Sequence, residues 1–464
     1  MPPPSFCADR SPRIVFATKQ QSKETDMSAM ESLLQASPEI GEALIELMSE
    51  CDGVREFGRR VLALSANALM SAEADALCGA SLGERSELRV NSRNGYRRRG
   101  LKTPLGDVEL EVPKLRRGTY YPDGLLARWS RVDASLAALV VEAYANGVST
   151  RSMALLASEL GVSDLSSSEV SRLARSLDAQ VDELRSRDLS SQKYCYLWVD
   201  ATYVKCRVEG RSISQAVVTA IALGEDGYKH LVGLDCVDTE SYESWRAFLA
   251  SIRARGLSGI VLCVSDAHTG LAKAVSEVFQ GAAWQRCTVH LQRNLSSTAS
   301  RDGEKLVREL GKTLFSESDP LVARAMLPLA CDAMRKAGEK TAADLLESAA
   351  PDALQYLSLP SEHWRRVRTN NVQERANREL KRRYRSVQSF PSRSSLLRLL
   401  GAVMLEEEAS WGQHRVFSTK SVARAWEVPE TPTPDGTLAR EIARAERKAK
   451  SAVDALVDRF PPKG

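Results

Sequence analysis

Hydrophobic positions change their period several times along this chain, and each change marks an element. Residues 1 to 35 have no period and are rich in Pro, Ser and Lys, which predicts a disordered extension with Met27 and Met30 as alternative starts. From Pro38 to about Ala80, apolar residues recur three and four apart, in Ile40, Ala43, Leu44 and Leu47 and again in Phe57, Val61 and Leu64, the spacing of amphipathic helices. These helices are expected either to fill a core or to pair two copies of the chain. Arg89 to Gly100 then reads as a basic, Gly-containing loop, and Val108, Leu110 and Val112 alternate with charged residues as one short, half-exposed strand. Ser135 to about Leu184 returns to the helical period as Leu136–Ala145, Arg151–Leu160 and Ser166–Leu177, parted by Gly147-Val-Ser-Thr150 and Gly161-Val-Ser-Asp-Leu165. Two short helices about a Gly-bearing turn form a helix-turn-helix pattern, its second helix opening with Ser-Ser-Ser-Glu-Val-Ser-Arg172.

The next stretch reads as a sheet. Tyr194 to Cys206 is a run of aromatic and β-branched residues, Ser212 to Leu223 a second strand and Tyr228 to Val237 a third, joined by the turns Glu209-Gly210 and Asp226-Gly227. Thr239 to Arg255 is an amphipathic helix, with Trp245, Phe248, Leu249 and Ile252 on one face, leading to a fourth strand, Ile260 to Val264. Such crossovers are short and right-handed, so the fourth strand is expected parallel to and beside the first. Leu271–Phe279 is predicted helical, Ala283–Arg286 a short strand, and His290 onward helical again. From about Glu304 to Ser348 the chain is nearly all helix, rich in Ala, Leu and charge, which reads as an insertion.

A length of 464 residues allows two or three domains, each with its own core. The net charge of +4 conceals a local excess, because Arg365 to Arg385 holds nine Lys/Arg against Glu374 and Glu379. With Trp364 and Tyr384 in the same run, this composition faces a polyanion; a solvated basic helix face is the alternative. Nine cysteines without regular spacing, several in apolar runs, indicate a reducing cytoplasm. No uninterrupted apolar run reaches about 18 residues and no signal-peptide core follows Met1, so no membrane association is expected.

Three acids stand out against this pattern. Asp200 lies inside the first apolar strand, where an ionised carboxylate is costly unless a cation pairs with it. Asp266 ends the apolar run from Gly259, and Glu374 lies in Thr369-Asn-Asn-Val-Gln-Glu374-Arg-Ala-Asn-Arg378. Brought together, three carboxylates repel one another unless hard divalent cations sit between them, and oxygen-only ligands select magnesium, with manganese as a substitute. Two such ions can activate a water or a 3′-hydroxyl and stabilise the leaving oxygen of a phosphoryl displacement. Each acid also has a structural reading: Glu374 completing a capping box with Asn371, Asp266 capping the next helix, Asp200 as a paired core acid. Arg375, Arg378, Lys381, Arg382 and Arg385 follow Glu374 on adjacent helix faces, favouring a phosphate backbone beside the acid. Cys287 and His290 supply two of the four ligands a structural zinc needs, with no second pair, and read as a structural pair.

The runs Arg93-Asn-Gly-Tyr-Arg97, Val199-Asp-Ala-Thr-Tyr203, Ser265-Asp-Ala-His-Thr-Gly-Leu271, Trp284-Gln-Arg-Cys-Thr-Val-His290 and Thr369 to Arg378 resemble the Mutator-type transposases of bacterial insertion sequences, in order from about residue 60 to about residue 415. The resemblance implies a DDE transposase with an α/β RNase H-like catalytic domain on a mixed sheet, an all-helical insertion and a mainly helical N-terminal DNA-binding region. It matches Asp200, Asp266 and Glu374 to the catalytic, metal-binding triad, and Cys287 and His290 to a C-x-x-H signature of structural or DNA-proximal role. DNA contact is expected from Arg93, Tyr96, Arg97, Arg98, Arg172, Arg375, Arg378, Lys381, Arg382 and Arg385. The resemblance further implies two magnesium ions, terminal inverted repeats and target DNA as partners, a circular DNA intermediate, a homodimer or higher oligomer, and a bacterial cytoplasmic, nucleoid-associated location.

The expected division is a disordered extension (1–35), a helical and basic-loop region for dimerisation and DNA contact (36–130), a helix-turn-helix-like domain (131–190), the first part of the catalytic core (191–298), the insertion (299–365), the rest of the core with the Glu helix (366–425) and a charged helical tail (426–464). The rivals are a non-catalytic DNA-binding protein derived from such an enzyme, which loss of any acid would favour, and another RNase H-like nuclease such as a junction resolvase. The long insertion and the basic N-terminal half weigh against the second.

Overall fold

The computed structural model describes residues 38–122, 132–163, 165–385, 387, 389–427 and 436–461; the expected extension, with Met27 and Met30, lies outside them. Two compact units share the chain, one running up to Asp178 and the other from Ala179.

In the first unit, α1 (Pro38–Ser49) and α2 (Val54–Cys78) precede a hairpin of β1 (Arg93–Thr103) and β2 (Gly106–Leu115). The alternation of Val108, Leu110 and Val112 does point one face of β2 inward, where it packs with Ala66 and Met70 of α2 and with Tyr120. The basic segment expected as a loop is instead a strand. Its Arg- and Gly-rich sequence has little strand preference, and order comes from the antiparallel ladder with β2, from Tyr96↔Pro113 to Thr103↔Gly106. Among the described residues α2 alone is long and apolar enough, by length and composition only, to cross a membrane, and Asn67, Glu73 and Asp75 interrupt its apolar run. Its Ala66, Met70, Ala74 and Cys78 side is buried while Leu64, Leu69 and Leu77 are exposed.

Three helices follow: α3 (Ala134–Ala145), α4 (Thr150–Glu159) and α5 (Ser167–Ala174). Each begins on a side chain that accepts from its first turn, Asp133 from Ser135 N, Ser149 from Ser152 N and Ser166 from Glu169 N. The third predicted helix does not run through to Leu177. It stops at Arg175, and α6 (Ser176–Ser186) starts after it, where the Ser176 hydroxyl bonds the Leu173 carbonyl and competes with the helical ladder.

The second unit is built on a five-stranded mixed sheet in the order β5-β4-β3-β6-β7. The strands β3 (Tyr194–Val208), β4 (Arg211–Gly224) and β5 (Lys229–Val237) form an antiparallel meander. Helix α7 (Tyr242–Ala254), capped by Ser241, then crosses to β6 (Leu262–Ser265), which pairs parallel with β3 as the crossover argument expects. After α8 (Thr269–Val278), β7 (Ala283–Arg286) adds parallel to β6. One face of the sheet carries Leu197, Val199 and Cys263 against Trp245, Phe248 and Leu249; the other carries Tyr196, Trp198 and Val264 against the remaining helices.

Those helices are α9 (Thr288–Thr298), α10 (Glu304–Ser316), α11 (Pro320–Lys336) and α12 (Lys340–Ala353), then α13 (Trp364–Val367), α14 (Asn371–Tyr384), α15 (Arg393–Trp411) and α16 (Thr419–Ala423). Gln285 of β7 fixes the helical layer to the sheet edge, its amide donating to Ala353 O and accepting from Tyr356 N. His363 does the same on the other side: fully buried, its ring joins Tyr196 Oη at 2.6 Å to Ser421 Oγ at 2.8 Å. The charged Ala-rich tail forms α17 (Gly436–Arg459), which buries Ala445, Ala449 and Val453 in the same core and pairs Lys448 with Glu317 at 3.0 Å.

Removing residues 436–461 therefore exposes the apolar side of α10 and α11. Stability is expected to fall by on the order of 3 kcal/mol, read as a lower thermal midpoint; an unchanged midpoint means that the docking of α17 contributes nothing.

Candidate active site

The acids are brought together by strand register and by one docked helix. In β3 and β6 Trp198 pairs with Val264, so Asp200 and Asp266, each two residues further on, project side by side at the ends of the paired segment. Helix α14 lies against β3 on a face made of amides. Asn370 Nδ2 donates to Val199 O at 3.3 Å, and Gln373 Nε2 donates to Trp198 O at 2.7 Å and Thr219 O at 3.2 Å while its Oε1 accepts from Thr219 Oγ1. Asn377 Nδ2 donates to Asp200 Oδ2 at 2.6 Å. This spacing of i, i+3 and i+7 is one stripe of a helix. It leaves Glu374 half-buried on the flank that faces the two Asp residues.

The capping reading of Glu374 does not hold. The N-cap is Asn370, so Glu374 lies one position beyond the capping-box site, and no side chain caps this helix. Its Oε1 instead meets His290 Nε2 at 3.2 Å and Arg293 Nη1 at 3.3 Å. Nor does Asp266 cap α8, where His268 accepts from Leu271 N.

His290 is the residue whose position sequence reasoning placed least well. It stands between two of the acids, Nδ1 against Asp266 Oδ1 and Nε2 against Glu374. The Asp266 carboxylate, then Cys287, hold its imidazole well above the ordinary range, to about 10. Cys287 is fully buried, its Sγ accepting from Asn370 N at 3.2 Å, so the C-x-x-H pair ties the start of α9 to the start of α14. The donor atoms of Asp266, Cys287 and His290 lie within 4.8 Å of one another, one ligand short of a structural zinc site. Sequence reasoning misses Gln373 and Asn377, because polar residues in a polar, cationic helix give no sign of facing inward.

The electrostatics fit a hard cation. Burial, then the charge of Asp266, pushes the Asp200 carboxyl up to about 7. Asp266 Oδ1 is buried against His290 Nδ1, so this carboxylate is already held by one cation. Asp200 and Asp266 repel one another, and Glu374 reaches the same His290, so a divalent ion held by carboxylate oxygens would offset their charge.

The expected DNA contacts divide. Arg375, Arg378, Lys381, Arg382 and Arg385 are exposed along and just beyond α14, with Arg382 leaning on Glu379. Arg97 and Arg98 are exposed on β1, Tyr96 is 40% exposed, and Arg172 is exposed on α5 beside Glu169. Arg93 is a correction: its side chain is 2% exposed, pairs with Asp75 at 2.5 Å and donates to Ser71 Oγ at 2.9 Å, fastening β1 to α2. An arginine so enclosed has no surface to offer a phosphate.

A mixed five-stranded sheet with a carboxylate site on two strands and one helix is the class that these features define. Residues 36–414 match the model of the Mutator family of transposases. Over 394 residues, 85% of this chain and 91% of the relative, the chain is 37% identical to the transposase for insertion sequence element IS1081 of Mycobacterium tuberculosis. It is 35% identical over 357 residues, 77% of this chain and 91% of the relative, to the transposase for IS256 in transposon Tn4001 of Staphylococcus aureus. To the transposase for ISRM5 of Rhizobium meliloti it is 34% identical over 366 residues, 79% and 90% of the two chains. The chain belongs to the Mutator family of transposases.

Two outcomes follow from the geometry. Arg93→Ala leaves Asp75 without its partner, so the thermal midpoint should fall, with a cost of about 2 kcal/mol or more; lost DNA affinity at an unchanged midpoint would restore the phosphate role. A carboxyl raised from 3.8 to about 7 takes up a proton on folding between those values, so metal-free stability should fall as pH rises through that window. Asp200→Asn removes the effect and should stabilise the metal-free protein at pH 8, by on the order of 2 kcal/mol, and not at pH 4; equal midpoints at pH 8 would contradict it.

Proposed function

We propose that the chain is a DDE transposase with an RNase H-like catalytic core, which binds the terminal inverted repeats of its element, cleaves a DNA strand and joins the freed end to another phosphodiester. The register that sets Asp200 beside Asp266, with Glu374 delivered by α14, carries this reading. The strand order β5-β4-β3-β6-β7, with the helices α10 to α12 inserted before the Glu helix, supports the RNase H-like assignment. Magnesium, or manganese in its place, would be held by Asp200, Asp266 and Glu374; two such ions supply the activation of a water or 3′-hydroxyl and the stabilisation of the leaving oxygen.

The chain's own residues do the positioning. Asn377 fixes the Asp200 carboxylate, the amide stripe of α14 sets the reach of Glu374, and His290 and Arg293 hold that acid from the opposite side. Arg375, Arg378, Lys381, Arg382 and Arg385 offer cations to a phosphate backbone next to the acids, while Tyr96, Arg97, Arg98 and Arg172 of the N-terminal unit serve end recognition. Handling two ends together calls for a homodimer or higher oligomer acting on bacterial nucleoid DNA.

Expression of the gene between its native flanking DNA should yield joined element ends, and Glu374→Gln should abolish them while end binding persists. End binding without joined ends in the wild type would identify a non-catalytic DNA-binding derivative. Arg378→Ala should lower the slope of log affinity against log salt by about 0.9; an unchanged slope excludes a phosphate contact there.

A further inference from the structure

Beside the first turn of α14 lies a cavity of about 380 Å³. Its wall is cationic: Lys229 opens β5, Arg365 and Arg366 come from α13, and Arg375 from α14, while Trp198 of β3 lines its base. Among the described residues none of these four cations is in an ion pair. Some arginines of this unit are paired, Arg383 with Glu379 and Glu406, Arg187 with Glu408 and Arg424 with Glu362. Here aromatic rings hold the cations instead, Lys229 Nζ lying 4.7 Å from the centre of the Trp411 ring and the Arg366 guanidinium 6.0 Å from that of Phe417.

Ring contacts position a cation without neutralising it. Burial, then the charge of Arg375, holds the Lys229 ammonium down to about 8, against the pull of the Glu407 carboxylate. The first turn of α14, which no side chain caps, adds Asn371 and Val372 to the wall and brings the positive end of the helix dipole. Four like charges gathered from three elements repel one another, and the arrangement is stable to the extent that an anion fills it.

We propose that this cavity is a phosphate-binding site, separate from the carboxylate cluster, taking a phosphate of a DNA strand that crosses α14 or the phosphate of a free nucleotide. The volume exceeds that of a phosphate alone and admits the attached sugar. Arg365 and Arg366 present planar forks suited to two phosphate oxygens, and Lys229 a point charge. The DNA source rests on the transposase reading; the anion site itself does not.

The test uses the full chain and the variants Arg366→Gln, at an exposed position, and Lys229→Gln. Inorganic phosphate, titrated at constant ionic strength against chloride, should raise the thermal midpoint of the wild type and lose that effect in both variants. Without phosphate, each variant should melt at or above the wild-type temperature, because a repulsion has been removed; a lower midpoint in both assigns these cations to folding and overturns the proposal. With a duplex oligonucleotide, a salt slope reduced by about 0.9 in Arg366→Gln identifies a DNA phosphate as the occupant. An unchanged slope, with the phosphate shift still lost, identifies a free phosphate compound. Absence of a phosphate shift in the wild type together with unchanged slopes refutes the site. Glu374→Gln, run in parallel, should alter neither readout, so failure of the catalytic reading stays distinguishable from failure of this one.

Discussion

The structure depends on the seam between α14 and β3, where a helix is fastened to a strand by side-chain amides. Asn370, Gln373 and Asn377 are buried, and each places a donor on β3, on Val199 O, Trp198 O and the Asp200 carboxylate respectively. Gln373 is bonded through both its nitrogen and its oxygen, while Asn370 and Asn377 bond through nitrogen alone, and these donors fix the helix in rotation as well as position. An apolar interface of the same area would tolerate a slide of the helix, and with it a displacement of Glu374.

The same helix divides charge by face. Its inner stripe is neutral and hydrogen-bonded apart from Arg383, which Glu379 and Glu406 enclose. Its solvent side carries exposed cations, and the cationic cavity opens beside its first turn. Enclosed, paired arginines such as Arg93 and Arg383 act as fasteners, while exposed ones, paired or not, remain available to an anion, so burial separates structural from ligand-facing cations better than position in a basic run.

Order in the peripheral elements is borrowed in a similar way. The Arg- and Gly-rich β1 is a strand because β2 offers it a ladder and α2 offers Asp75 to Arg93. Helix α17, beyond the region shared with the family model, is held by the apolar side of α11 and by the Lys448–Glu317 pair.

Periodicity alone determined the meander, the crossover helix, the parallel return of β6 and therefore the adjacency of Asp200 and Asp266, because alternation and right-handed connection leave few other arrangements. The carboxylates were legible as acids in apolar surroundings. What sequence could not decide was which polar residues face inward: Gln373 and Asn377 are polar in a polar helix, and Arg93 is one arginine among several. His290 and the four cations around Lys229 lie far apart along the chain or in separate elements, and only folding brings them within reach of one another. Side-chain chemistry is local and written in the sequence, whereas pairing is a property of distance, which tertiary structure alone sets.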